Sequence, residues 1–378
     1  MRVALVHELL TIRGGAERTL KVIADMFPNA PIYTLLYDEE KLGNWFPKER
    51  IRTSTVQNSL LHTAYSILHT ANNHHLYLPF FPSAVEAWDF CEHDLVISSS
   101  SAFAHGIITN GKPKHLSYIH SPARYLWDRT HEVLARAGKG PLGPLKRRYL
   151  ERAFHKLRLW DAEVSDRADM LIAASKEVKR RIELYWRRES SVLYPPLDDF
   201  WFEEQEGEGR KSEEETYLVV STLVPYKRIE LAVDACTKGG KRLTVVGEGP
   251  ERKRLEERAG STVEFLGYQP QQKLKELYAR ATATIFPGDE DFGLVPLESM
   301  ACSTPVVAYR KGGALETVIE GETGVYFCAP NPDDLLAALE TVSAQHFDTA
   351  KLTEHTRRFS RARFEEGLHS AVDRVMAH

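Results

Sequence analysis

The stretch FPGDEDFGLVPLESMACSTPVVA (286–308) leads from one apolar run, through an acidic loop and a proline-containing apolar segment, into a second apolar run. Because proline is favourable in the first turn of a helix, a helix is predicted to begin near Val295 or Pro296. The flanking runs, ATIFP (283–287) and TPVVAY (304–309), are continuously apolar, as strands covered on both faces are. The stretch therefore predicts a strand, a helix and a second, parallel strand.

The same alternation of short apolar runs with longer amphipathic segments extends along the chain. Further strand-like runs are VALVH (3–7), LVISSS (95–100), HLSYIH (115–120), MLIAAS (170–175), YLVVST (217–222), RLTVVG (242–247) and VEFLG (263–267). Strands that alternate with helices in this way form parallel, doubly wound sheets. The fold class predicted is therefore α/β.

The pattern breaks once, at YPPLDDFWF (194–202), and the charged segment EEQEGEGRKSEEE (203–215) that follows contains no apolar residue. Paired prolines favour an extended connection, and such a charged segment favours an exposed loop or a partly disordered linker. The 378 residues also exceed what one hydrophobic core usually supports. We expect two Rossmann-like domains, 1–197 and 198–356, with parallel sheets that face a central cleft. A C-terminal helix is expected within 357–378, and packing against the N-terminal domain is one option for it.

Composition and charge exclude several classes of function. The chain has 49 basic and 53 acidic residues, a formal net charge of −4, so no global positive charge favours nucleic acid as a partner. No run approaches the ~20 apolar residues of a membrane span, and Glu8 makes the N-terminus a poor signal peptide. The cysteines lack metal-ligand spacing and are expected to be reduced, buried thiols. They are Cys91, Cys236, Cys302 and Cys328. Reduced thiols are typical of a cytoplasmic protein, and such a protein can lie on the inner face of the plasma membrane.

The loop after the first strand, HELLTIRGGAERTL (7–20), places Gly14 and Gly15 just before a predicted helix. Glycines let the backbone approach a ligand closely, and the free amides at a helix N-terminus attract anions. A tight strand-to-helix turn without a ligand explains the same residues equally well. The loop lacks GxGxxG, which disfavours dinucleotide binding.

Two loops in the second half have groups suited to phosphate. VVSTLVPYKRIE (219–230) places Lys227 and Arg228 beyond the end of a predicted strand, where a lysine can neutralise a phosphate, although adjacent cations in a loop are often merely solvated. GEGP (247–250) places Gly247 after another strand. It is a weaker phosphate-loop signal, because Pro250 lacks an amide donor.

The acids of the opening stretch divide into a loop residue and a helix residue. Glu290 precedes the predicted helix and Glu298 lies in its first turns, with the amides of Gly293 and Leu294 between them. A ligand that spans the two carboxylates would have hydroxyl groups at both ends and anionic groups in the middle. A nucleotide diphosphate sugar has that shape.

These motifs resemble, in order and over nearly the whole chain, the retaining GT-B glycosyltransferases of family 4, nearest to their bacterial mannosyltransferase branch. The motifs are GGAE (14–17), YIHSPARYLWD (118–128), YPPLD (194–198), LVPYKRIE (223–230), GEGP (247–250), LGYQPQQKLKELYARA (266–281), EDFGLVPLESMACSTPVVA (290–308) and GGALETV (312–318). The resemblance implies a GT-B fold and sugar transfer from a nucleotide diphosphate sugar without a metal or another cofactor. It also implies that domain 1–197 is on the acceptor side and that domain 198–356 binds the nucleotide sugar. The acids Asp289, Glu290 and Asp291 are accordingly interpreted as a loop with one functional acid and not as a metal site.

The resemblance also implies a role for individual residues. Glu298 would hold the ribose hydroxyls, Glu290 a hydroxyl of the donor sugar, and Lys227 the diphosphate as it leaves. Gly14 and Gly15 would lie over the diphosphate, and His120 would contact the transferred sugar near the reacting carbon. The implied catalytic residues are His120, Lys227 and Glu290. The implied donor-binding residues are Gly14, Gly15, Thr222, Arg228, Gly247, Phe292, Gly293, Leu294, Val295 and Glu298.

One departure from the family pattern concerns the phosphate site. Family members commonly have an arginine where this chain has Thr222, within Ser221-Thr222-Leu223. Threonine supplies a hydroxyl but no fixed charge. Either Arg228 or Arg13 replaces the missing cation, or donor affinity and rate are lower than in relatives.

The acceptor side has fewer signals. KRRYLERAFHKLRLW (146–160) is basic and amphipathic, which suits either an anionic membrane surface or a helix whose apolar side packs in the core. His62, His74 and His75 are polar residues of a region that could line the acceptor site. The best hypothesis is transfer of mannose from GDP-mannose to a glycan, which a polyprenyl diphosphate could carry. The alternatives are a UDP-sugar-dependent transferase, a sugar-nucleotide epimerase and a catalytically weak nucleotide-sugar-binding protein.

Overall fold

The computed structural model describes residues 1–57, 78–203 and 214–377, and the chain divides into two compact units. Unit 1 comprises Met1–Pro195 and Phe364–His378, and unit 2 comprises Pro196–Arg363. Each unit contains a parallel sheet with helices, which confirms the predicted α/β fold class. Residues 204–213 of the charged segment lie outside the described residues, as do His62, His74 and His75.

The sheet of unit 1 has the strand order β3-β2-β1-β4-β5-β6-β7. The strands are β1 Val3–Leu10, β2 Ile32–Tyr37, β3 Ile51–Thr53, β4 Leu95–Ser100, β5 Lys114–Ile119, β6 Met170–Ala173 and β7 Ser191–Val192. All the described pairings are parallel. The chain order reverses between β1 and β4, and ligands of such sheets bind beyond the carboxyl ends of the strands at that point.

Helices of unit 1 cover both faces of this sheet. They are Gly15–Met26, Glu39–Leu42, Phe81–Glu86, Thr130–Ala137, Gly143–Val164, Lys176–Trp186 and the C-terminal helix Arg361–Met376. Leu5 of β1 belongs to one hydrophobic cluster, and its neighbour Val6 belongs to the other. Burial on both faces explains why the strand is continuously apolar in sequence.

The C-terminal helix packs in the core of unit 1. Phe364, Leu368 and Val372 belong to the same hydrophobic cluster as β5 and β6, and the ring centroid of Phe364 lies 5.6 Å from that of Tyr118. The helix begins at Arg361 rather than at 357, because residues Thr349–Arg357 form a separate helix. A turn between these two helices had no strong sequence signal.

The basic segment 146–160 lies within the helix Gly143–Val164. Its apolar residues Leu150, Phe154 and Leu157 are buried in the core of unit 1. Of the two alternatives for this segment, the core helix is therefore the one that the structure contains. Contact with a membrane would therefore have to involve other residues of this region.

The sheet of unit 2 has the strand order β10-β9-β8-β11-β12-β13, and its described pairings are parallel. The strands are β8 Thr216–Val220, β9 Arg242–Val246, β10 Val263–Gly267, β11 Ala283–Phe286, β12 Val306–Tyr309 and β13 Gly324–Phe327. The helices are Ile229–Gly239, Arg252–Glu256, Gln271–Arg280, Leu294–Ala301, Ala314–Thr317, Pro332–Ala344 and Thr349–Arg357. The order reverses between β8 and β11, so the loops after these strands lie at the position where a ligand is expected.

The structure also shows how exposed the four cysteines are and whether a described helix could cross a membrane. Cys236 is buried and Cys302 is partly buried, but Cys91 and Cys328 are exposed, so the prediction of four buried thiols is wrong for these two. Cys91 lies in the loop before β4, and Cys328 directly follows β13, so each lies at the end of the apolar segment beside it. Within residues 1–57, 78–203 and 214–377, no helix combines the length and the apolar character needed to cross a membrane.

Candidate functional site

The loops that follow β8, β9 and β11 pack closely at the carboxyl edge of the unit 2 sheet. A Cβ atom on Gly247 would lie 1.8 Å from the carbonyl oxygen of Ser221, and Gly247 has a φ of +128°. A Cβ atom on Gly288 would lie 3.3 Å from the Cα atom of Lys227. Glycine at these positions lets the loops approach one another, which brings Lys227 beside the acidic loop 287–293.

Lys227 and Glu290 form a hydrogen-bonded ion pair where the strand order reverses. Both side chains are largely buried, with 18% and 17% of their surface exposed. Burial lowers the pKa of Lys227, but the nearby charge of Glu290, with smaller electrostatic effects of Tyr226 and Asp291, outweighs burial, so the pKa lies above its ordinary value. The site therefore holds a protonated ammonium next to a carboxylate.

The loop that carries Glu290 is held by the segment after β12. The amide of Gly313 donates to the carbonyl oxygen of Glu290 at 2.8 Å, and the ammonium of Lys311 lies 3.1 Å from Asp289 Oδ2. Asp289 thus has a cation of its own, and Glu290 is the acid of this loop that reaches Lys227. Among the described residues, no group of His, Cys, Asp or Glu has the arrangement of a metal site.

Glu298 lies on the helix Leu294–Ala301, where only 4% of its surface is exposed. It accepts a hydrogen bond of 3.0 Å from the hydroxyl of Tyr278. Tyr278 is buried, and its ring lies 5.7 Å from that of Trp201. Tyr278 lies inside the motif LGYQPQQKLKELYARA, but its place there does not indicate that its hydroxyl contacts Glu298.

The residues between the two carboxylates form the start of this helix. Gly293 has a φ of +91°, and a Cβ atom there would lie 2.5 Å from the ring of Phe286, so the position requires glycine. Phe292 is buried beside Phe359, with ring centroids 5.6 Å apart. Leu294 and Val295 form the first turn and are partly exposed. The amides of a first turn have no partner within the helix, because the acceptors would lie before its start.

The two arginines considered as substitutes for a cation at Thr222 differ in their contacts. Thr222 is exposed. Arg228 lies over the ring of Tyr309 at 5.3 Å, and its buried Nη1 atom has no hydrogen-bond partner among the described residues. Arg13, by contrast, donates to the carbonyl oxygens of Lys41 and Leu42 within unit 1. Of the two arginines, Arg228 is thus the one with a buried donor atom that lacks a partner among the described residues.

The glycines of the first loop precede the helix Gly15–Met26 in unit 1. The amide of Gly14 donates to Glu17 Oε2 at 3.0 Å, so this amide already has a partner. Glu17 also lies 3.6 Å from Nε2 of His7. The loop is therefore tied to the end of β1 through the Glu17 carboxylate.

His120 follows β5 directly and is partly exposed. Its Nε2 atom lies 2.8 Å from the Ser99 hydroxyl, and its ring is 5.1 Å from that of Tyr118. Burial and then the charge of His7 lower the pKa of His120 to about 3, although Glu8 opposes this shift. His120 is therefore a neutral imidazole near pH 7.

Buried polar residues that were not predicted from the sequence surround His120. Glu8 accepts hydrogen bonds from the amides of residues 101–104 at 2.7 to 3.2 Å and from the hydroxyl of Ser100 at 2.8 Å. Burial raises the pKa of Glu8, but the charge of His7 and these hydrogen bonds outweigh it and lower the pKa to about 2. The available signal was the polar pair His7 and Glu8 inside an apolar strand.

Comparison with known proteins connects these features to a family. Residues 202–362 match the model of the family Glycosyl transferases group 1. An uncharacterized glycosyltransferase of Methanocaldococcus jannaschii is 28% identical over 173 residues, which cover 44% of this chain and 48% of that protein. A GDP-mannose-dependent alpha-(1-6)-phosphatidylinositol dimannoside mannosyltransferase of Mycobacterium tuberculosis is 36% identical over 148 residues, 37% of this chain and 36% of that one. The chain thus spans about half the length, or less, of these relatives.

A likeness to solved structures covers the whole chain. The crystal structure of HepE from Anabaena in complex with UDP matches with a TM-score of 0.72 at 17% identity, over 99% of this chain and 100% of that one. At this identity the likeness concerns the fold. The chain has the GT-B fold, and its residues 202–362 have the sequence pattern of the group 1 glycosyl transferases.

Proposed function

We propose that the protein is a glycosyltransferase that moves a sugar from a nucleotide diphosphate sugar to a glycan acceptor. The observation that carries the proposal is the Lys227–Glu290 pair at the point where the strand order of unit 2 reverses. Both residues lie inside the segment 202–362 that matches the group 1 glycosyl transferases. A ligand with an anionic diphosphate next to a hydroxylated sugar has complementary groups for both.

Lys227 has the charge that the reaction requires. Cleavage of the bond between sugar and phosphate builds negative charge on the leaving diphosphate, and a preorganised cation stabilises that charge more in the transition state than in the substrate. The raised pKa of Lys227, caused by Glu290 against the effect of burial, keeps the ammonium protonated. Once a diphosphate accepts from Lys227, Glu290 is available to a hydroxyl of the donor sugar.

Glu298 is the residue we propose for the ribose. A carboxylate can accept hydrogen bonds from both hydroxyls of a ribose diol. The hydrogen bond from Tyr278 at 3.0 Å orients the carboxylate before the ligand arrives. Lys227, Glu290 and Glu298 would then bind the diphosphate, the sugar and the ribose of one donor.

We propose a retaining transfer without a metal. The acceptor hydroxyl would attack on the face that the diphosphate leaves, and a phosphate oxygen would take its proton, so no separate general base is needed. Contacts of Gly14, Gly15 and His120 with the donor stay predictions from the family resemblance. The amide of Gly14 would reach a phosphate only if it left Glu17.

The donor we propose is GDP-mannose, with mannose as the transferred sugar. Support comes from the GDP-mannose-dependent relative of M. tuberculosis, which is similar to 37% of this chain. A UDP-sugar is the second candidate, since the HepE structure with the same fold contains UDP.

A lipid-linked glycan acceptor and peripheral membrane contact are also part of the proposal. The apolar side of the helix Gly143–Val164 is in the core, but Leu142 and Leu145 at its start are 73% and 69% exposed. Arg148 and Tyr149 are exposed beside them. Apolar side chains with basic neighbours suit an anionic lipid surface, on the inner face of the plasma membrane if the protein is cytoplasmic.

An assay with purified protein tests the proposal. GDP-mannose, UDP-glucose and UDP-galactose are each incubated with and without polyprenyl-diphosphate-linked acceptors, and both released nucleotide and glycosylated acceptor are measured. Acceptor-dependent release of one nucleoside diphosphate, with a product that keeps the anomeric configuration, is expected. Conversion of a donor without acceptor would indicate an epimerase, and binding without turnover would indicate a nucleotide-sugar-binding protein. Either result would overturn the proposal.

A further inference from the structure

We propose that Ser99 and His7 hold His120 in the tautomer that carries its hydrogen on Nδ1, so that the second ring nitrogen of His120 is a hydrogen-bond donor. Ser99 and His7 then act as positioning residues for His120. The use of that donor by a sugar rests on the proposed function. The tautomer itself does not.

The three side chains come from the carboxyl ends of three adjacent strands of unit 1. Ser99 on β4 lies between His7 on β1 and His120 after β5. The Ser99 hydroxyl is 2.8 Å from His120 Nε2 and 3.1 Å from His7 Nδ1. His7 Nδ1 is also 3.0 Å from the carbonyl oxygen of Ser99.

The hydrogens of this chain follow from the chemistry of each atom. A carbonyl oxygen can only accept, so the bond to the Ser99 carbonyl requires a hydrogen on His7 Nδ1. The Ser99 hydroxyl therefore cannot donate to His7 Nδ1, and its one hydrogen is available to His120 Nε2. If Nε2 of His120 carried a hydrogen instead, the Ser99 hydroxyl would lack an acceptor among the described residues. His120 Nε2 is thus the acceptor, and Nδ1 carries the hydrogen of the neutral ring.

The charges around the two histidines favour the same arrangement. Burial lowers the pKa of His7, but the hydrogen bond and charge of Glu17 and the charge of Glu8 outweigh burial, and the pKa is raised. Burial and the charge of His7 lower the pKa of His120 to about 3, against the smaller effect of Glu8. A neutral His120 beside a His7 whose pKa is raised favours the hydrogen-bond direction from His7 through Ser99 to His120.

The arrangement connects the first loop with His120. Glu17 accepts from the Gly14 amide with Oε2, and its Oε1 lies 3.6 Å from His7 Nε2. Two residues that the family resemblance implicates, Gly14 and His120, are therefore linked through Glu17, His7 and Ser99. Nδ1 of His120 has no hydrogen-bond partner among the described residues, so it can donate to a hydroxyl or an ether oxygen of a sugar. As an N–H donor it positions the sugar and does not remove a proton.

The tautomer can be measured without any substrate. In protein labelled with ¹⁵N at histidine, long-range ¹H–¹⁵N spectra distinguish the Nδ1–H tautomer, the Nε2–H tautomer and the imidazolium, and the loss of signals in His120→Gln assigns the ring. We expect the Nδ1–H tautomer at pH 7 in the wild type and a mixture of tautomers in Ser99→Ala. An Nε2–H tautomer or an imidazolium in the wild type would overturn the proposal.

The preceding residue of the same strand, Ser98, supplies a matched control. The Ser98 hydroxyl lies 2.8 Å from His115 Nε2 and 2.7 Å from the Ser117 hydroxyl, so Ser98→Ala removes an equally buried serine from a different histidine. Ser98→Ala should change the spectrum of His115 and leave that of His120 unchanged. A change at His120 in both variants would mean a general disturbance of the strand and would contradict the proposal.

Transfer kinetics test the use of the donor. Ser99→Ala should lower kcat about tenfold at little change in donor KM, because one oriented hydrogen bond in the transition state is lost, and Ser99→Thr should recover part of the rate. Ser98→Ala should stay within about twofold of the wild type. Equal losses in both alanine variants would overturn the positioning role. Absence of transfer in the wild type with the expected tautomer would refute the proposed function, whereas normal transfer with the wrong tautomer would refute this inference.

Discussion

The ammonium of Lys227 and the carboxylate of Glu290 are hydrogen-bonded to each other although they lie on loops after different strands, β8 and β11. These strands are neighbours in the sheet, but the chain continues from β8 to β9 on one side and from β11 to β12 on the other. The loops can therefore open a crevice between them that a ligand enters. Each of the two side chains neutralises the other in the structure.

Lys227→Ala should lower kcat by a factor on the order of 10² to 10³, since it removes a cation that stabilises the leaving diphosphate. Steady-state kinetics with a saturating acceptor measure the change. Lys311→Ala is the matched control, because Lys311 pairs with Asp289 at 3.1 Å in the neighbouring loop and is 59% exposed. A similar loss in both variants, or a normal rate in Lys227→Ala, would exclude Lys227 from the mechanism.

Arg228→Asn should raise the donor KM about tenfold or more, because a hydrogen bond from a charged group to the diphosphate is lost. Asparagine is chosen because Arg228 has a φ of +53°, which asparagine tolerates better than most residues. Adding Thr222→Arg to this variant should restore much of the affinity by supplying a fixed charge. Steady-state kinetics give the donor KM, and calorimetry gives the affinity for the nucleoside diphosphate.

Two results would decide between the two accounts of the cation. An unchanged donor affinity in Arg228→Asn would leave the buried Nη1 atom without a role at the diphosphate and would contradict replacement by Arg228. An unchanged or poorer KM and kcat in Thr222→Arg alone would agree with replacement by Arg228 and would contradict the alternative in which the site lacks a cation. Arg13→Ala, which disturbs carbonyl contacts at Lys41 and Leu42, serves to test the other arginine.

Tyr278→Phe should weaken nucleotide binding about tenfold with little change in kcat at saturation. The reason is that Glu298 loses the hydroxyl that orients it, while the buried ring of Tyr278 and its packing on Trp201 are kept. Comparison of a ribonucleoside with a 2′-deoxyribonucleoside diphosphate gives the control. The variant should lose most of the preference for ribose, and a preference equal to that of the wild type would contradict the role of Glu298.

The fold was predictable because its signal is local. Each strand such as β11 is a continuous apolar run, and each is followed by a segment of helical length, so burial on both faces can be inferred from sequence alone. The start of the last helix was not predictable to the residue. The domain against which the helix packs was also left open, because the contact of Phe364 with the cluster that contains Tyr118 is a tertiary contact.

The candidate site divides in the same way. Lys227 and Glu290 follow apolar strands, and the rule for the carboxyl edges of parallel sheets indicates that they can meet. His7 and Ser99 carry no such signal, because a serine or histidine inside a strand is ambiguous until its partner is known. Glu17 on the helix Gly15–Met26 is ambiguous for the same reason. The partner of His7 lies 92 positions away, at Ser99. Such pairings are determined by the sheet order, which the sequence pattern leaves open.

Glu8→Gln should lower the free energy of unfolding at pH 7 by about 3 kcal/mol. Glu8 titrates near its ordinary 4.5 in the unfolded chain and at about 2 in the folded one, a difference of about 2.5 pKa units at 1.36 kcal/mol each. Because the folded pKa is depressed, this stability is present above pH ~4.5 and is lost as the pH falls through about 2. Urea unfolding of wild type and variant between pH 7 and pH 2.5 should therefore give curves that converge with acidification. Glu151→Gln, an exposed acid paired with Arg147, should stay within about 0.5 kcal/mol throughout, and a Glu8→Gln difference that does not shrink at low pH would refute the assigned charge.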